Sequence, residues 1–369
     1  MGVLSVAVLG AGGTIGPAIV HDLASSEEVG RLTLLDLDLA RAEPTADSHG
    51  AGKASARAVD ARDADAFAGA LESVDVLVNS ASYRINLEAM RACVAAGCHY
   101  LDLGGLYWMT LKQLELGADF ERAGLLAVLG IGSSPGKTNL MALRGERELP
   151  EGVRAIEVVA GGRDLGVPAD GRLRPPYAIQ TLLDELTLSP VVLRDGQPLE
   201  IEPLTDGGSV DFGDPIGVAD TIYTLHSELV TFGESFGCAE ASFRLSLAPA
   251  LLTRLKALVG ASAHEVAAAA GETAPQSAET VSIHLVRLVG SASHEVSVRA
   301  VTRPWSGLGG SIVSTAAPAA AAVRLLARGR LTATGALPPE RCIEPEEMFA
   351  ELAQRGCTVT FSDCRSNPS

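Results

Sequence analysis

The chain has no surplus of positive charge. Across 369 residues, 45 Asp and Glu stand against 29 Lys and Arg, a formal net charge of −16. Nucleic acid and anionic membrane surfaces are therefore poor partners. No apolar run reaches the roughly 18 residues that span a bilayer, so no membrane partner is expected. The N-terminus lacks the basic segment and small-residue cleavage site of a secretory signal. Met1-Gly2 lacks the following Ser or Thr that N-myristoylation needs. The expectation is a cytoplasmic protein. Cys93, Cys98, Cys238, Cys342, Cys357 and Cys364 include no CxxC pair. Cys93, Cys98 and His99 lie close together, but Cys93 falls within a predicted helix and Cys98 at its end. They read as buried free thiols in a reducing compartment, and no metal is expected. Internal repeats and low-complexity linkers are also missing. A hydrophobic content of 47% and a charged content of 20% fit a soluble globular chain long enough for two cores.

The first 36 residues carry the most information. Leu4-Ser5-Val6-Ala7-Val8-Leu9 is an apolar run of strand length, followed at once by Gly10-Ala11-Gly12-Gly13-Thr14-Ile15-Gly16. Ile15, Ala18, Ile19 and Leu23 then repeat at helical spacing, and Leu32-Thr33-Leu34-Leu35 ends on Asp36. Strand, glycine turn, helix, strand and acid is the layout a dinucleotide needs. The glycines let backbone approach the pyrophosphate, the helix N-terminus is partly positive, and the acid accepts the ribose hydroxyls. The spacing reads either as G-x-G-x-x-x-G through Gly10, Gly12 and Gly16, or as G-x-x-G-x-x-G through Gly10, Gly13 and Gly16. Gly10, Gly12, Gly13, Thr14, Ile15, Gly16 and Asp36 are the cofactor-binding candidates. Asp36 favours NAD, because a carboxylate repels a 2′-phosphate; the nearby Arg41 keeps NADP open.

The alternation continues. Ala58–Asp60, Val74–Asn79, Tyr100–Leu103 and Leu125–Ile131 read as strands, and Asp65–Leu71, Asn86–Ala96 and Thr110–Ala123 as helices, with Gly97 as a C-terminal cap. Strands alternating with helices predict an α/β fold, a Rossmann-type doubly wound parallel sheet over residues 1–132. Gly10, Asp36, Asn79, Asp102 and Gly132 all fall at or just past strand ends, where such sheets bind ligands. A second, mixed α+β domain is expected over 133–312. In it, Glu279–Arg287 and His294–Val301 alternate apolar and polar residues around Gly290-Ser291, a hairpin with one solvated face. Residues 313–369 are expected to return as helices onto the first domain, with Arg365–Ser369 disordered.

Several segments together resemble the saccharopine dehydrogenase family. They are Asn79-Ser80-Ala81-Ser82-Tyr83 through Ala92-Cys93, His99–Gly105, and Gly132-Ser133-Ser134-Pro135-Gly136-Lys137-Thr138-Asn139. In the second half, Pro175–Ala178, Leu193–Gly196, Thr224–Leu229 and Thr334–Glu340 look most like the lysine 6-dehydrogenase branch. The resemblance covers nearly the whole chain and rests on the order of its motifs. It implies a nucleotide domain, a second domain that binds substrate and dimerises, a homodimer, and oxidation of an amino acid C–N bond with NAD or NADP. The glycine turn departs from the family's usual Gly-Ala-Gly-x-x-Gly by one extra residue, which touches cofactor choice and not fold.

Amine oxidation needs a neutral amine, a carbon held against the nicotinamide, and an anchor for any substrate carboxylate. The catalytic candidates are Tyr83, Asp102, His226 and Glu228. Tyr83 follows the fourth strand and reads as an orienting hydroxyl or as a packing aromatic. Asp102 reads as a holder of an ammonium group or as a turn acid. His226 and Glu228, two apart, would share one face of a strand as a proton-transfer pair or as a satisfied polar pair. Asn79, Ser80, Ala81 and Pro135 join the cofactor candidates. Tyr83, Lys137, Asn139, Tyr177 and Arg303 are the substrate candidates; backbone N–H groups of the Pro135–Asn139 loop would bind an amide or carboxylate, although Asn139 also reads as a helix cap. The leading expectation is NAD-dependent deamination of the terminal amine of L-lysine, with cyclisation of the product. The alternatives are an NADPH-dependent reductase joining an amine to an aldehyde, of saccharopine or carboxynorspermidine type, and a non-catalytic dinucleotide sensor.

Overall fold

The alternating pattern of the first 130 residues becomes strands wherever an apolar run can be buried on both faces. The computed structural model describes residues 2–166, 172–292 and 294–364. Its strands, in chain order, begin with β1 (Leu4–Leu9), β2 (Val29–Asp36), β3 (Ala54–Ala58), β4 (Val76–Asn79), β5 (His99–Asp102) and β6 (Leu126–Val128). β7 (Val153–Asp164), β8 (Val191–Arg194), β9 (Gln197–Glu200), β10 (Asp206–Asp211), β11 (Val218–Tyr223) and β12 (Glu240–Ser246) follow. β13 (Thr280–Gly290), β14 (Glu295–Thr302), β15 (Gly335–Leu337) and β16 (Cys357–Cys364) complete the series.

The chain divides into two units. The first is Met1–Asn139 with Thr315–Leu352, the second Leu140–Ser314 with Ala353–Ser369.

The first unit is built on a seven-stranded sheet of order β15-β6-β5-β4-β1-β2-β3, its strand pairs parallel. The order reverses between β1 and β4, so a crevice opens at the carboxyl ends there. Val6, Ala7, Val8, Leu34, Leu35 and Val76–Val78 are fully buried. Helix Asn86–Ala96 ends at Gly97 with φ +75°, the left-handed cap that its sequence predicts. Two features differ from expectation. Leu39–His49 is a helix with Pro44 inside it, started by Asp38, whose carboxylate accepts from the Ala40 N–H. The stretch Thr110–Ala123 is two helices, Leu106–Leu114 and Gly117–Ala123.

The tail supplies β15 to this sheet. It also supplies Arg324, which is buried between Asp22 (Nη1–Oδ1 3.0 Å) and Glu351 (Nε–Oε2 2.6 Å). Helix Gly310–Ala327, which carries Arg324, is long and apolar enough to cross a membrane, and 83% of it is buried in the protein.

The second unit holds a nine-stranded mixed sheet, β10-β11-β12-β7-β13-β14-β16, with β8 on β12 and β9 on β8. Only β12 and β7 run parallel among these pairs. The β13–β14 hairpin pairs Ser282 with Thr302 through Val289 with Glu295. Its solvated face is confined to part of its length, because Thr280–His284 are buried on both faces. β16 corrects the reading of the tail as wholly helical: Cys357–Cys364 alternates Thr358, Thr360 and Ser362 with apolar residues and pairs along all of β14. Arg365–Ser369 lie outside the described residues.

Candidate functional site

The glycine turn of the first unit distinguishes its two possible spacings. Gly10 has φ +77°, and a Cβ there would lie 2.7 Å from the Ala81 N. A Cβ on Gly12 would lie 2.6 Å from the main chain of Arg41, and one on Gly16 2.5 Å from the Gly10 carbonyl oxygen. Gly13 tolerates more, its nearest atom being 3.1 Å away. Gly10, Gly12 and Gly16 are thus the required set, the G-x-G-x-x-x-G reading. Gly16 opens helix Gly16–Ala24, whose Ncap Ile15 makes no side-chain cap. Pro17 has no N–H and the Ala18 and Ile19 N–H groups donate to the Ile15 carbonyl, so what this helix start offers is the positive end of its dipole, beside the exposed Thr14. Asp36 Oδ2 accepts from Gly12 N at 3.0 Å, Oδ1 from Asp38 N at 3.2 Å, and Arg41 Nη2 donates to the Gly12 carbonyl at 3.1 Å. One carboxylate and one guanidinium thus touch the same turn. A cradle that side chains would fill, an uncapped helix and a strand-end acid fit a dinucleotide.

The polar residues after β4 and β5 behave differently from expectation. Asp102 is buried, and five donors surround it: Tyr100 Oη at 2.9 Å, Gln113 Nε2 at 2.6 Å, Asn86 Nδ2 at 3.2 Å, Gly104 N at 2.9 Å and Gly130 N at 2.7 Å. Burial raises its pKa above the ordinary carboxylate value against the pull of these donors. Asp102 is corrected from a catalytic candidate to a clamp on two loops, because its acceptor sites are taken. Asn79 belongs to the same network: its Nδ2 donates to Asn86 Oδ1 at 2.9 Å and to Tyr100 Oη at 3.2 Å, and its Oδ1 accepts from Ala81 N at 3.0 Å. Ser80 Oγ donates to the Leu9 carbonyl at 2.8 Å. Both shape the crevice wall, with Ala81 against Gly10. Tyr83 is half-buried in the turn that follows β4, its ring under the Arg84 guanidinium at 4.8 Å.

The Gly132–Asn139 loop is closed on itself. Gly132 N donates to the Pro135 carbonyl, Lys137 N to that of Gly132, Thr138 N to that of Ser133, and Gly136 N to Asn139 Oδ1. These N–H groups are spent, which corrects the expectation that they bind an amide or carboxylate. Pro135 is buried beside Gly130. Asn139 Nδ2 donates to Glu340 Oε2 at 2.8 Å, so this side chain ties the tail to the loop instead of binding substrate. Lys137 is fully buried.

In the second unit, His226 and Glu228 do meet, Nδ1 to Oε2 at 2.7 Å. They do so across a helix start and not on a strand: His226 lies in the loop after β11, and Glu228 opens helix Glu228–Phe236. The imidazole stacks on Phe243 of β12 at 3.5 Å between centroids. Burial pulls the His226 pKa down, but the Glu228 carboxylate outweighs it and holds the pKa above its ordinary value. Tyr177 Oη donates to Glu185 Oε2 at 2.5 Å. Burial lifts Glu185 to about 7, with the His226 charge and the Tyr177 hydroxyl pulling it down and Glu228 pushing it further up.

Glu185 escaped the sequence reading. Its signal was present, a carboxylate on the buried face of helix Ile179–Thr187 among Leu182, Leu183 and Leu186. Tyr100, Asn86 and Gln113 escaped it too. Arg303 is exposed.

The first unit therefore defines a dinucleotide-binding protein of the doubly wound class. Residues 6–128 match the model of the saccharopine dehydrogenase NADP binding domain. The cofactor class of the domain is a nicotinamide dinucleotide. A carboxyaminopropylagmatine dehydrogenase from Synechocystis sp. is 25% identical over 263 residues, 69% of this chain and 65% of that protein. A carboxynorspermidine synthase from Vibrio alginolyticus is 26% identical over 177 residues, 42% of each. The chain spans less than two thirds of the length of these curated relatives. The apo saccharopine dehydrogenase (L-Glu forming) of Saccharomyces cerevisiae shares the fold, with a TM-score of 0.72, 98% of this chain and 100% of that one covered, at 15% identity.

Proposed function

We propose that this protein is a nicotinamide-dependent oxidoreductase that joins an amine to an aldehyde, forming a secondary amine that carries a carboxylate. The observation that carries this reading is His226 with Glu228. The buried carboxylate raises the His226 pKa, which suits the ring to carry a proton and hand it on. Reductive coupling needs an acid. The amine nitrogen adds to the aldehyde carbon, the carbinolamine loses water when its hydroxyl takes a proton, and the imine carbon then accepts a hydride. His226 Nε2 would supply that proton, while Glu228 keeps the ring oriented through Nδ1. A bound reduced dinucleotide supplies the hydride. Asp36 favours NAD as that dinucleotide. The names of the two relatives, a carboxyaminopropylagmatine dehydrogenase and a carboxynorspermidine synthase, support an aminoalkyl substrate over lysine.

The test is absorbance at 340 nm with the reduced dinucleotide, an aldehyde that carries an α-amino acid group, and a diamine. Loss of absorbance that requires both substrates is expected. Consumption with either substrate alone overturns the coupling. NADH formation from NAD and L-lysine alone would replace this reading with lysine deamination.

A further inference from the structure

Two buried hydroxyls flank His226 in the chain, and neither has a hydrogen-bond partner. Thr224 is fully buried and Ser227 is 5% exposed. Ser227 heads helix Glu228–Phe236 yet does not cap it. A buried hydroxyl left unpaired costs about 1–3 kcal/mol, and native proteins leave few of them without a reason. Glu185 is the third polar group of this cluster, buried on helix Ile179–Thr187. One of its oxygens takes the Tyr177 hydroxyl, and the charges of both His226 and Glu228 act on it. His226 and Glu228 pair with each other, so once Glu185 ionises the group holds two carboxylates against one imidazolium.

We propose that Glu185, Thr224 and Ser227 form a binding site for a protonated primary amine of the substrate, beside the His226–Glu228 pair. This deepens the reading above and rests on it for the substrate's being an amine. An ammonium group has three N–H donors, and the three residues offer three acceptors. It also brings the one positive charge that the cluster lacks. Water would satisfy the hydroxyls and leave the carboxylate charge unpaired. An anion would meet two carboxylates. Among the described residues there is no group of three or more His, Cys, Asp or Glu arranged to hold a metal ion.

The experiment is calorimetric titration of the full-length chain with 1,3-diaminopropane, without dinucleotide, and with 1,3-propanediol as the neutral control. Binding of the diamine and not the diol is expected. Glu185→Gln should weaken it at least tenfold and Thr224→Val about threefold, while dinucleotide binding stays unchanged. Thr224→Val removes an unpaired hydroxyl and should not lower the melting temperature. Affinity should rise from pH 6 to pH 8 as Glu185 loses its proton, and this slope should vanish in Glu185→Gln. The groups acting on Glu185 are Tyr177, His226, Glu228 and Asp184, and only Asp184 among them shares its helix with Glu185. The inference is overturned if the dinucleotide binds and the diamine does not, or if both variants bind the diamine as the parent does. Diamine binding sensitive to both variants, in a protein that turns over no amine and aldehyde, leaves the site standing and removes the coupling reaction.

Discussion

At the scale of single residues, Asp36 and Arg41 both bond to Gly12 and are the two charges expected to bear on cofactor choice. The carboxylate repels a 2′-phosphate and the guanidinium attracts one, so replacing the first should expose the second. Asp36→Asn keeps an oxygen for the Gly12 N–H and removes the charge. The ratio of NADP to NAD affinity, measured by calorimetry on the free protein, should rise about tenfold, the equivalent of about 1.4 kcal/mol. An unchanged ratio would mean that Asp36 does not face the ribose. The glycines and Asp36 were legible in the sequence because a βα turn is local, its constraints falling within a few residues. Asp102 and Asn79 were not. A polar residue at a strand end can serve a ligand or serve the fold, and neighbours far along the chain decide which. Here Tyr100 and Gln113 decide, by filling the Asp102 acceptor sites. His226 and Glu228 were legible as a pair but not as a geometry, since two residues on a strand and two residues across a helix start look alike in a string of letters.

At the scale of elements, the parallel sheet could be read from its strong alternation, and the tail only in part. β15 is three residues long, too short to show a period, whereas β16 does alternate Thr358, Thr360 and Ser362 with Cys357, Val359 and Phe361, a signal the sequence reading passed over. What holds the returning helix Gly310–Ala327 is also hidden from sequence. Arg324 sits in an Ala-rich stretch, 302 residues from its partner Asp22. Arg324→Met keeps the volume and takes from Asp22 and Glu351 the cation they share, while Glu351 keeps its pair with Arg328. Breaking a buried pair from one side costs about 3–5 kcal/mol. Urea unfolding of the variant should show a loss of that size. A loss below about 1 kcal/mol would mean that the carboxylates find water or protonate at little cost. Arg330, whose pair with Glu347 is largely exposed, is the internal comparison, and Arg330→Met should be nearly neutral.

At the scale of the whole molecule, two electrostatic effects push stability the same way with pH. The first is local. Glu185 has a folded pKa of about 7 against an ordinary value of 4.5, so the native state holds a proton there that the unfolded chain has given up. Between these values stability falls as pH rises, by on the order of 3 kcal/mol in total. His226 acts in the same sense at higher pH. Its folded pKa is raised, so its contribution is complete below the unfolded value and is lost as pH climbs through the folded one. The second effect is global: a chain already at −16 repels itself more as its remaining protons leave. Salt separates the two. Repulsion among exposed charges is screened within about 8 Å at physiological ionic strength, whereas a carboxylate buried against Tyr177 is not. The melting temperature should therefore fall from pH 5 to pH 8 and keep most of that fall in 0.5 M salt. Glu185→Gln should flatten the salt-resistant part. If the variant keeps the full slope, the titrating group lies elsewhere, and the charge balance assigned to the His226–Glu228–Glu185 cluster falls with it.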